Sequence, residues 1–209
     1  MTVLVLASAS PARLATLRSA GVEPHVAVSS VDESQIVARY AVSGAVDVTL
    51  VLARAKAEDV AARDDLPPGS VVVGCDSVLE LDGEVFGKPA DAEEAIARWQ
   101  RMRGSSGVLH TGHWVVDLRE QGTGGTLGAV SSTVVHFADL TDDEIDAYVA
   151  TGEPLKVAGA FTVDGLGGPY VRGVEGDHHG VVGLSLPLLR ELLGEVGVVW
   201  HRLWSVPVS

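Results

Sequence analysis

The first fourteen residues constrain the fold most, because they predict a β-strand that leads directly into an α-helix. Residues 3–6 are a short run of valine and leucine, which is the pattern of a buried strand. Ser10 followed by Pro11 is typical of a helix N-cap and a first helical position. The helix predicted from Pro11 ends at Gly21, since glycine readily adopts the left-handed conformation found after helix C-termini. A strand, small hydroxylated residues and a helix start therefore meet at residues 7–10.

This corner has the features of an anion pocket. The small residues at 7–10, which include Ser8 and Ser10, let a ligand approach the backbone, and free N–H groups at a helix start favour negative charge. Arg13 lies in the first helical turn, where the helix dipole disfavours a cation by roughly 0.3 to 1 kcal/mol. A negative ligand would explain that placement. The alternative is a solvated arginine on an ordinary corner, because no complete phosphate-loop or dinucleotide pattern is present.

Length and composition favour one domain spanning residues 1–209. A chain of 209 residues can remove roughly 70% of its unfolded surface from water. Apolar residues make up 46% of the sequence, yet no run reaches the ~20 apolar residues of a membrane span. The N-terminal residues lack the pattern of a secretion signal, and Cys75 is the single cysteine. We therefore expect no internal disulfide and a cytoplasmic location.

The acidic balance limits the classes of partner. With 15 basic and 28 acidic residues, the formal charge of −13 argues against binding to nucleic acid or to a membrane surface. A small anionic ligand would need a local cluster of cations or a metal. Nearly all cations are arginine, and the lysines are only Lys56, Lys88 and Lys156. Either lysine marks positions that need a compact ammonium, or this distribution is chance.

A pair of carboxylates follows the second predicted strand. The strand is predicted at residues 25–28, and residues 31–34 are predicted to be a loop. Asp32 and Glu33 in this loop form either a solvated turn or a site for Mg²⁺. That ion favours one or two carboxylates together with phosphate oxygens and waters.

Asp76 is an anomaly in the strand predicted at residues 71–81. Because side chains alternate along a strand, Asp76 shares a face with Val72, Gly74 and Val78. A carboxylate in such an apolar row must be paired, protonated or bound to a cation, which makes it a site candidate. Cys75 faces the opposite way and is predicted to be a small core residue.

Two lysines fall near these acidic positions. A helix is predicted at residues 46–63, and Lys56 lies beside its apolar stripe. Lys56 either takes part in a site or extends its amine to solvent. After Asp82-Gly83, which predicts a hairpin with a return arm at 84–86, comes Lys88. Lys88 and Asp76 could therefore face one cleft.

The rest of the chain predicts an alternation of helices and strands. The predicted elements are a helix at 91–103, strands at 108–118 and 126–137, a helix at 140–149, a glycine-rich loop at 151–168, a strand at 169–174, a loop at 178–179 and a helix at 187–195. His110 and His113 lie three residues apart on a predicted strand, so they point to opposite faces and form no metal pair. Cations beside an anion pocket and two acidic positions together suit metal-assisted attack of water on a phosphorus atom.

Several ordered motifs resemble those of one known family, the Maf nucleotide pyrophosphatases. They are Leu6-Ala7-Ser8-Ala9-Ser10-Pro11-Ala12-Arg13, Val31-Asp32-Glu33, Ala53-Arg54-Ala55-Lys56-Ala57, Gly74-Cys75-Asp76-Ser77, Gly87-Lys88-Pro89, Gly152-Glu153-Pro154, Ala158-Gly159-Ala160-Phe161 and Val182-Gly183-Leu184. The resemblance implies a mixed α/β fold, with an elongated twisted sheet flanked by helices and a deep central cleft, as in inosine-triphosphate pyrophosphatases. It also implies hydrolysis of a nucleoside triphosphate to the monophosphate and pyrophosphate with a divalent cation, Mg²⁺ or Mn²⁺, commonly in a homodimer.

The resemblance also implies roles for individual residues. Asp76 would be the general base or a metal ligand, and Glu33 would help to hold the metal. The triphosphate would be bound by Arg13, Lys56 and Lys88 and lined by Ser8 and Ser10, with Ser77 and Asp164 as further substrate contacts. Lys156 has no assigned role, because the family often has lysine directly before Ala-Gly and this chain has Val157 there.

Three departures from the family pattern bear on the substrate. Ala12 replaces the first arginine of the Ser-Pro-Arg-Arg motif, Ser77 replaces a threonine or glutamine, and Asp164 replaces a glutamine or glutamate. The branch of the family that prefers dTTP and UTP resembles a different set of residues at these three positions. The residues of this chain are nearer to those of the branch associated with 7-methyl-GTP. An ionised Asp164 only accepts hydrogen bonds, which suits the donors of a guanine edge or a cytosine amino group. We expect a preference away from dTTP and UTP.

Two other classes of function remain open. Ala12 in place of arginine could have weakened catalysis, leaving a nucleotide-binding regulator without turnover, linked to control of cell division. The full set of Glu33, Lys56, Asp76 and Lys88 argues for an enzyme, because a binder needs no carboxylate that activates water. A nucleic-acid-binding module is disfavoured by the charge of −13.

Overall fold

The computed structural model describes residues 2–205, which form one seven-stranded sheet with helices packed against it. The strands are β1 (Val3–Leu6), β2 (His25–Val26), β3 (Ser70–Leu81), β4 (Glu84–Phe86), β5 (Ser106–Asp117), β6 (Thr126–Phe137) and β7 (Val171–Glu175). The α-helices are α1 (Pro11–Ser19), α2 (Glu33–Tyr40), α3 (Ala45–Ala61), α4 (Ala92–Met102), α5 (Asp142–Ala150), α6 (His178–Val182) and α7 (Leu186–Glu195). No helix in this part of the chain is long and apolar enough to cross a bilayer.

The sheet is mixed, and β3 lies at its centre. The strand order is β2-β1-β3-β5-β6-β7, and β4 pairs with the end of β3. β1 is parallel to β2 and β3, whereas the pairs β3–β4, β3–β5, β5–β6 and β6–β7 are antiparallel. The mixed α/β class expected from the sequence is therefore confirmed. The 12 residues of β3 are almost all buried, as expected for a central strand.

Helices cover both faces of β3. On one face, α1 and α7 pack against its first half through residues such as Val73 and Leu189. On the same face, α4 and α5 pack against its second half, where Trp99 and Tyr148 meet Leu79. The other face carries α3 along its length. Ser77 lies on the first face between the two cores, and Asp76 lies on the face that carries α3.

Glycine lets α3 lie against the sheet. A Cβ atom added to Gly74 on β3 would stand 2.3 Å from the carbonyl oxygen of Ala53. A Cβ atom added to Gly112 on β5 would stand 2.4 Å from the carbonyl oxygen of Thr49. The backbone of α3 thus occupies space that any other residue at these two strand positions would fill.

Most elements begin where the sequence predicts, because their caps form. Ser10 caps α1, and Gly21 adopts a φ of 80° after that helix ends. Asp91 accepts the backbone N–H of Glu94 at the start of α4. α5 begins with a complete capping box, in which Thr141 is the N-cap. The hairpin at Asp82-Gly83, the long strands β5 and β6 and the buried Cys75 are likewise confirmed.

Three local predictions are wrong. The strand expected at 25–28 is only His25–Val26, because pairing with β1 ends at Leu6. The loop expected at 31–34 contains the start of α2, since the carboxylate of Asp32 accepts the N–H of Gln35 as a helix cap. The loop expected at 178–179 is the start of α6, which Asp177 caps in the same way. Both helices depend on an aspartate cap that also suits a turn.

His113 on β5 is a fully buried histidine that joins the sheet to α7. Its Nδ1 atom donates to the carbonyl of Thr111 at 3.0 Å, and its Nε2 atom accepts the N–H of Ser185, the N-cap of α7, at 2.9 Å. A proton on Nε2 would face another donor. Burial, with a further contribution from Arg13, lowers the pKa of His113 to about 4.

The pKa of His113 predicts that the fold loses stability in mild acid. In the unfolded chain His113 binds a proton below its ordinary pKa of about 6.5, whereas in the folded protein it binds one only near pH 4. The free energy of unfolding therefore decreases as the pH falls from about 6.5 to about 4. From pH 7 to pH 5 we expect His113 to cost about 2 kcal/mol of unfolding free energy.

The measurement is denaturant unfolding of the wild type and of His113→Asn at both pH values. The variant should lose about 2 kcal/mol less than the wild type over this interval. His25→Asn, a change at an exposed histidine, is the control and should follow the wild type. Equal losses in wild type and His113→Asn would contradict the prediction.

Candidate active site

The candidate site lies at a gap in one edge of β3. On this edge β1 pairs with Ser70–Val73 and β4 pairs with Leu79–Leu81, and within residues 2–205 no strand pairs with residues 74–78 there. The opposite edge is covered by β5 throughout. The chain that leaves β1 enters the gap at Ala7, whose N–H donates to the carbonyl of Val73. Side chains from both faces of β3 can therefore meet at one opening.

The acidic half of the site is built around Lys56. The Nζ atom of Lys56 lies 2.5 Å from Oδ1 of Asp76 and 2.7 Å from Oε1 of Glu33. Lys56 is 9% exposed and Asp76 is 7% exposed, so both charges are nearly buried, whereas Glu33 is open to solvent. Lys56 is paired with two carboxylates rather than extended into water.

Burial changes the chemistry of Asp76. Removal from water raises its pKa above the ordinary value, against the opposing attraction of Lys56 and Arg13. A carboxylate with a raised pKa holds a proton more readily and is thus a stronger base than an exposed one. The geometry leaves Oδ2 of Asp76 without a hydrogen bond from any described residue.

The pair Asp32 and Glu33 divides into two roles. Asp32 is occupied as the cap of α2, with both oxygens bonded to Gln35. Glu33 is the first residue of α2, and this places its carboxylate on Lys56. Glu33 is therefore not a purely solvated turn residue, because it pairs with Lys56. The loop predicted at residues 31–34 does not form, since α2 begins there.

Arg13 organises the other half of the site. Its Nε donates to the carbonyl of Gly183 at 2.7 Å, and its two terminal nitrogens donate to the hydroxyls of Ser8 and Ser77 at 3.1 Å each. Within the described part of the chain no carboxylate lies at ion-pair distance from its guanidinium. Arg13 thus makes no ion pair within the described residues, and a negative ligand would explain why a cation stands at this helix N-terminus.

The serines beside Arg13 differ in their partners. Ser8 is nearly buried and accepts from both Arg13 and the N–H of Ser10. The hydroxyl of Ser10 accepts the N–H of Arg13 at 3.4 Å, as the cap of α1. Ser8 therefore shapes the corner, and Ser10 holds the helix start that presents Arg13.

Thr111 is a site residue that the sequence analysis missed. Its hydroxyl lies 2.8 Å from that of Ser77, its cross-strand partner, and donates to the carbonyl of Gly180 at 2.8 Å. It thereby joins β3 and β5 to α6. The carbonyl of Gly183, the C-cap of α6, accepts the hydrogen bond from Nε of Arg13. No local signal marks a threonine in a strand as such a link. Gly112 beside it was also missed, although glycine inside a strand often marks a close backbone approach.

The structure does not bring Lys88 and Asp164 into contact with these residues. Lys88 is exposed after β4, and among residues 2–205 it makes no ion pair or hydrogen bond. The carbonyl of Gly87 just before it accepts from Arg98 at 2.6 Å and from the N–H of Gly159 at 3.1 Å. Asp164 is exposed in the loop after Ala158–Ala160, and Lys156 is exposed in the turn Pro154–Lys156.

The donor set fits a hard divalent cation. Glu33 and Asp76 offer carboxylate oxygens that converge on one point, at present the ammonium of Lys56. Carboxylates that share a site with phosphate oxygens and waters are the ligands favoured by Mg²⁺. By contrast, both nitrogens of His113 are engaged with protein, which removes it from any ligand set.

Comparison with known proteins gives a family and several relatives. The sequence model of a family described as Maf-like protein matches residues 3–196. A protein of Salinispora tropica named nucleoside triphosphate pyrophosphatase is 59% identical over 97% of this chain and 87% of its own length. A protein of Streptomyces coelicolor with the same name is 55% identical over 97% of this chain and 94% of its own length.

A solved structure is a more distant match. It is a nucleoside-triphosphatase, also named dITP/XTP pyrophosphatase, from Mycobacterium abscessus. It is 17% identical, with 66% of this chain and 73% of that chain covered and a TM-score of 0.36, a likeness too weak to carry an argument.

Removal of the Lys56 charge should destabilise the fold. In Lys56→Met the nearly buried Asp76 loses its cation, and loss of one partner of a buried pair costs about 3 kcal/mol. Arg54→Met on the same helix is the control, since Arg54 pairs with Glu58 at the surface and such pairs contribute less than about 1 kcal/mol. Unfolding in urea at pH 8 measures both. Similar losses in the two variants would contradict a buried pair.

Proposed function

The chain belongs to the family of Maf-like proteins, and from this premise we propose that it hydrolyses a nucleoside triphosphate to the monophosphate and pyrophosphate. Relatives at 55–59% identity over nearly the whole chain carry the name nucleoside triphosphate pyrophosphatase, and the chain is an enzyme of that hydrolase class. The observation that carries the mechanism is the trio of Lys56, Asp76 and Glu33, of which Lys56 and Asp76 are nearly buried, beside Arg13, whose hydrogen-bond partners are uncharged.

Arg13 and Lys88 are the residues that we assign to the triphosphate. A chain with a net charge of −13 repels a polyanion unless local cations outweigh that field. Within residues 2–205 neither side chain is neutralised by a carboxylate. The hydroxyls of Ser8 and Ser77 each accept from one terminal nitrogen of Arg13, which leaves one further N–H on each of these nitrogens for a phosphate oxygen.

Asp76 is the residue that we assign to activation of water. Its carboxylate is fixed by Lys56 through one oxygen, which leaves the other to accept a proton from a water at the gap. Attack of that water on the α-phosphorus breaks the bond to the bridging oxygen and releases pyrophosphate. Burial excludes other donors from Asp76, and Lys56 keeps the carboxylate in place as it takes up the proton.

We assign a divalent cation, Mg²⁺ or Mn²⁺, to Glu33 and Asp76. When bound there it would neutralise charge on the phosphate oxygens and lower the barrier to attack. The ammonium of Lys56 would then hold the inner oxygen of Asp76 while Glu33, which is open to solvent, turns toward the ion. Because Lys56 holds Oδ1 of Asp76, either role, metal ligand or base, would fall to Oδ2.

Asp164 is the residue that we assign to the base. Ionised carboxylates accept but do not donate hydrogen bonds, so Asp164 favours the donors of guanine or cytosine over the mixed edge of uracil or thymine. Ala12 and Ser77 also depart from the set associated with dTTP and UTP. The enzyme should prefer other nucleotides, among them 7-methyl-GTP.

Product analysis tests the reaction. Purified protein with Mg²⁺ or Mn²⁺ is given GTP, 7-methyl-GTP, CTP, UTP and dTTP, and pyrophosphate and orthophosphate are assayed separately. We expect pyrophosphate with monophosphate, and slower turnover of UTP and dTTP than of the guanine and cytosine nucleotides. Orthophosphate alone would place attack at the terminal phosphorus and contradict the proposal. Binding of triphosphates without any product would favour the alternative of a regulator.

Replacement of Asp76 separates catalysis from binding. Asp76→Asn keeps the shape but removes the base, so turnover should fall by about 10³-fold, the middle of the range for general base catalysis. Affinity for a triphosphate with a non-hydrolysable α,β-bridge should change little. Asp47→Asn, at an exposed carboxylate in the first turn of α3, is the control and should retain activity. Full turnover by Asp76→Asn would overturn its assignment.

A further inference from the structure

Glu153, which follows α5, is a half-buried carboxylate with four hydrogen-bond donors. Its Oε1 atom accepts from the hydroxyl of Tyr148 at 2.9 Å, from the hydroxyl of Thr162 at 2.6 Å and from the N–H of Gly167 at 3.0 Å. Its Oε2 atom accepts the N–H of Leu166 at 3.0 Å. Burial opposes the charge, but the hydrogen bonds outweigh it and hold the pKa of Glu153 below its ordinary value.

Three of these donors belong to one segment, residues 162–167, which we term the 162–167 loop. The loop wraps closely around the carboxylate, and at two of its glycines a Cβ atom would collide with a neighbour. A Cβ atom added to Gly165 would lie 2.5 Å from Oε2 of Glu153. One added to Gly167 would lie 2.3 Å from the hydroxyl of Tyr148. The shape of the loop is therefore set by the carboxylate at its centre.

The residues just before this loop are also held in place, and one of their contacts is with the part of the chain that carries Lys88. The N–H of Gly159 donates to the carbonyl of Gly87, the residue before Lys88. The indole of Trp99 donates to the carbonyl of Ala160 at 2.8 Å. Gly159 also packs against Leu79 of β3, three residues beyond Asp76 and so about 10 Å along the strand. The residues that precede the loop are thus anchored against the strand that carries Asp76.

The outer side of the loop is open. Asp164 is exposed, and within residues 2–205 its carboxylate makes no hydrogen bond or ion pair. Leu166 is 59% exposed, although its N–H is held by Glu153. The loop therefore presents a free acceptor and an apolar side chain on a backbone that is fixed from within.

We propose that Glu153 is a positioning residue for base selectivity, which acts by holding the 162–167 loop so that Asp164 meets the base of the nucleotide. The inference rests on the proposed function, because it needs a substrate whose base reaches Asp164. Glu153 touches no reacting atom. Its effect passes through the three loop donors, and its carboxylate is required because all four partners offer hydrogen.

Glu153→Gln is the first test. The amide keeps the size of the side chain but turns an N–H₂ group toward the N–H of Leu166 or toward the other donors, so the loop loses at least one anchor. The ratio of kcat/KM between the best and worst of GTP, 7-methyl-GTP, CTP, UTP and dTTP should fall about tenfold. The change should lie in KM for the best substrate, with kcat nearly unchanged.

Two readouts separate positioning from a general loss of structure. The inhibition constant of inorganic tripolyphosphate, which has no base, should not change in Glu153→Gln. Glu144→Gln, the same chemical change in the capping box of α5, contacts no residue of the loop and should keep the wild-type ratio. Equal losses for tripolyphosphate and for every nucleotide would assign Glu153 a structural role only and overturn the inference.

A second variant leaves the carboxylate intact. In Gly165→Ala the added methyl group collides with Oε2 of Glu153 and pushes the loop outward. The ratio of kcat/KM between the best and worst nucleotides should fall in Gly165→Ala as in Glu153→Gln. Gly165→Ala therefore tests the inference even if Glu153→Gln does not fold. Gly173→Ala on β7 is the matched control, since a Cβ atom there has no neighbour within 4 Å. An unchanged ratio in Gly165→Ala with a folded protein would contradict the inference.

The double variant Glu153→Gln with Asp164→Asn shows whether the two residues act together. If Glu153 acts through Asp164, the double variant should have the ratio of Asp164→Asn alone. Additive effects would overturn the inference while leaving the proposed function intact. Absence of pyrophosphate from the wild type is a different result, because it would overturn the proposed function before any ratio is measured.

Discussion

The contact between α3 and the sheet at Gly74 and Gly112 is the constraint on which the site depends. Side chains at these two positions would overlap backbone atoms of Ala53 and Thr49, so the helix axis lies closer to β3 than ordinary side chains allow. This closeness lets Lys56 reach Asp76 at 2.5 Å with little exposure of either group. A buried pair of this kind contributes little net stability, because desolvation offsets the attraction. Its retention in a tight helix–sheet contact therefore points to chemistry rather than to folding.

The gap at residues 74–78 explains how neighbours on a strand can serve one site. Asp76 and Ser77 point to opposite faces of β3, and inside a continuous sheet they could not touch the same ligand. β1 stops at Leu6, opposite Val73, and β4 ends at Phe86, opposite Leu79, so this edge of β3 is open between them. A ligand that enters at this edge meets the α3 face through Asp76 and the α1 face through Ser77 and Arg13. The long central strand thus packs into a hydrophobic core near each end and carries the candidate site between them.

The sequence predicted best what is decided locally. Ser10 is recognisable as a cap because capping needs only neighbouring residues, and the anomaly of Asp76 follows from the period of a strand alone. The position of Lys56 beside an apolar stripe is visible in the sequence. Whether its ammonium pairs or reaches solvent depends on which side chain of the sheet lies opposite, and this is not visible there. Asp32 was read as part of a loop because an aspartate cap and a turn look alike over four residues. Thr111 and Gly183 gained their roles from partners 34 and 170 residues away, which no local pattern records.

Charge balance in the site is uneven in a way that bears on catalysis. Lys56 faces two carboxylates, Glu33 and Asp76, so this half is one positive charge short before any substrate arrives. Arg13 has its charge on the other side of β3, held by three uncharged acceptors. A triphosphate could use Arg13 for its distal groups, but its α-phosphate must come close to Asp76 for water to attack. Two anions at that distance repel strongly in a poorly solvated site. A cation held by Glu33 and Asp76, as we propose, would remove this repulsion, and Glu33 is open to the solvent from which it would come.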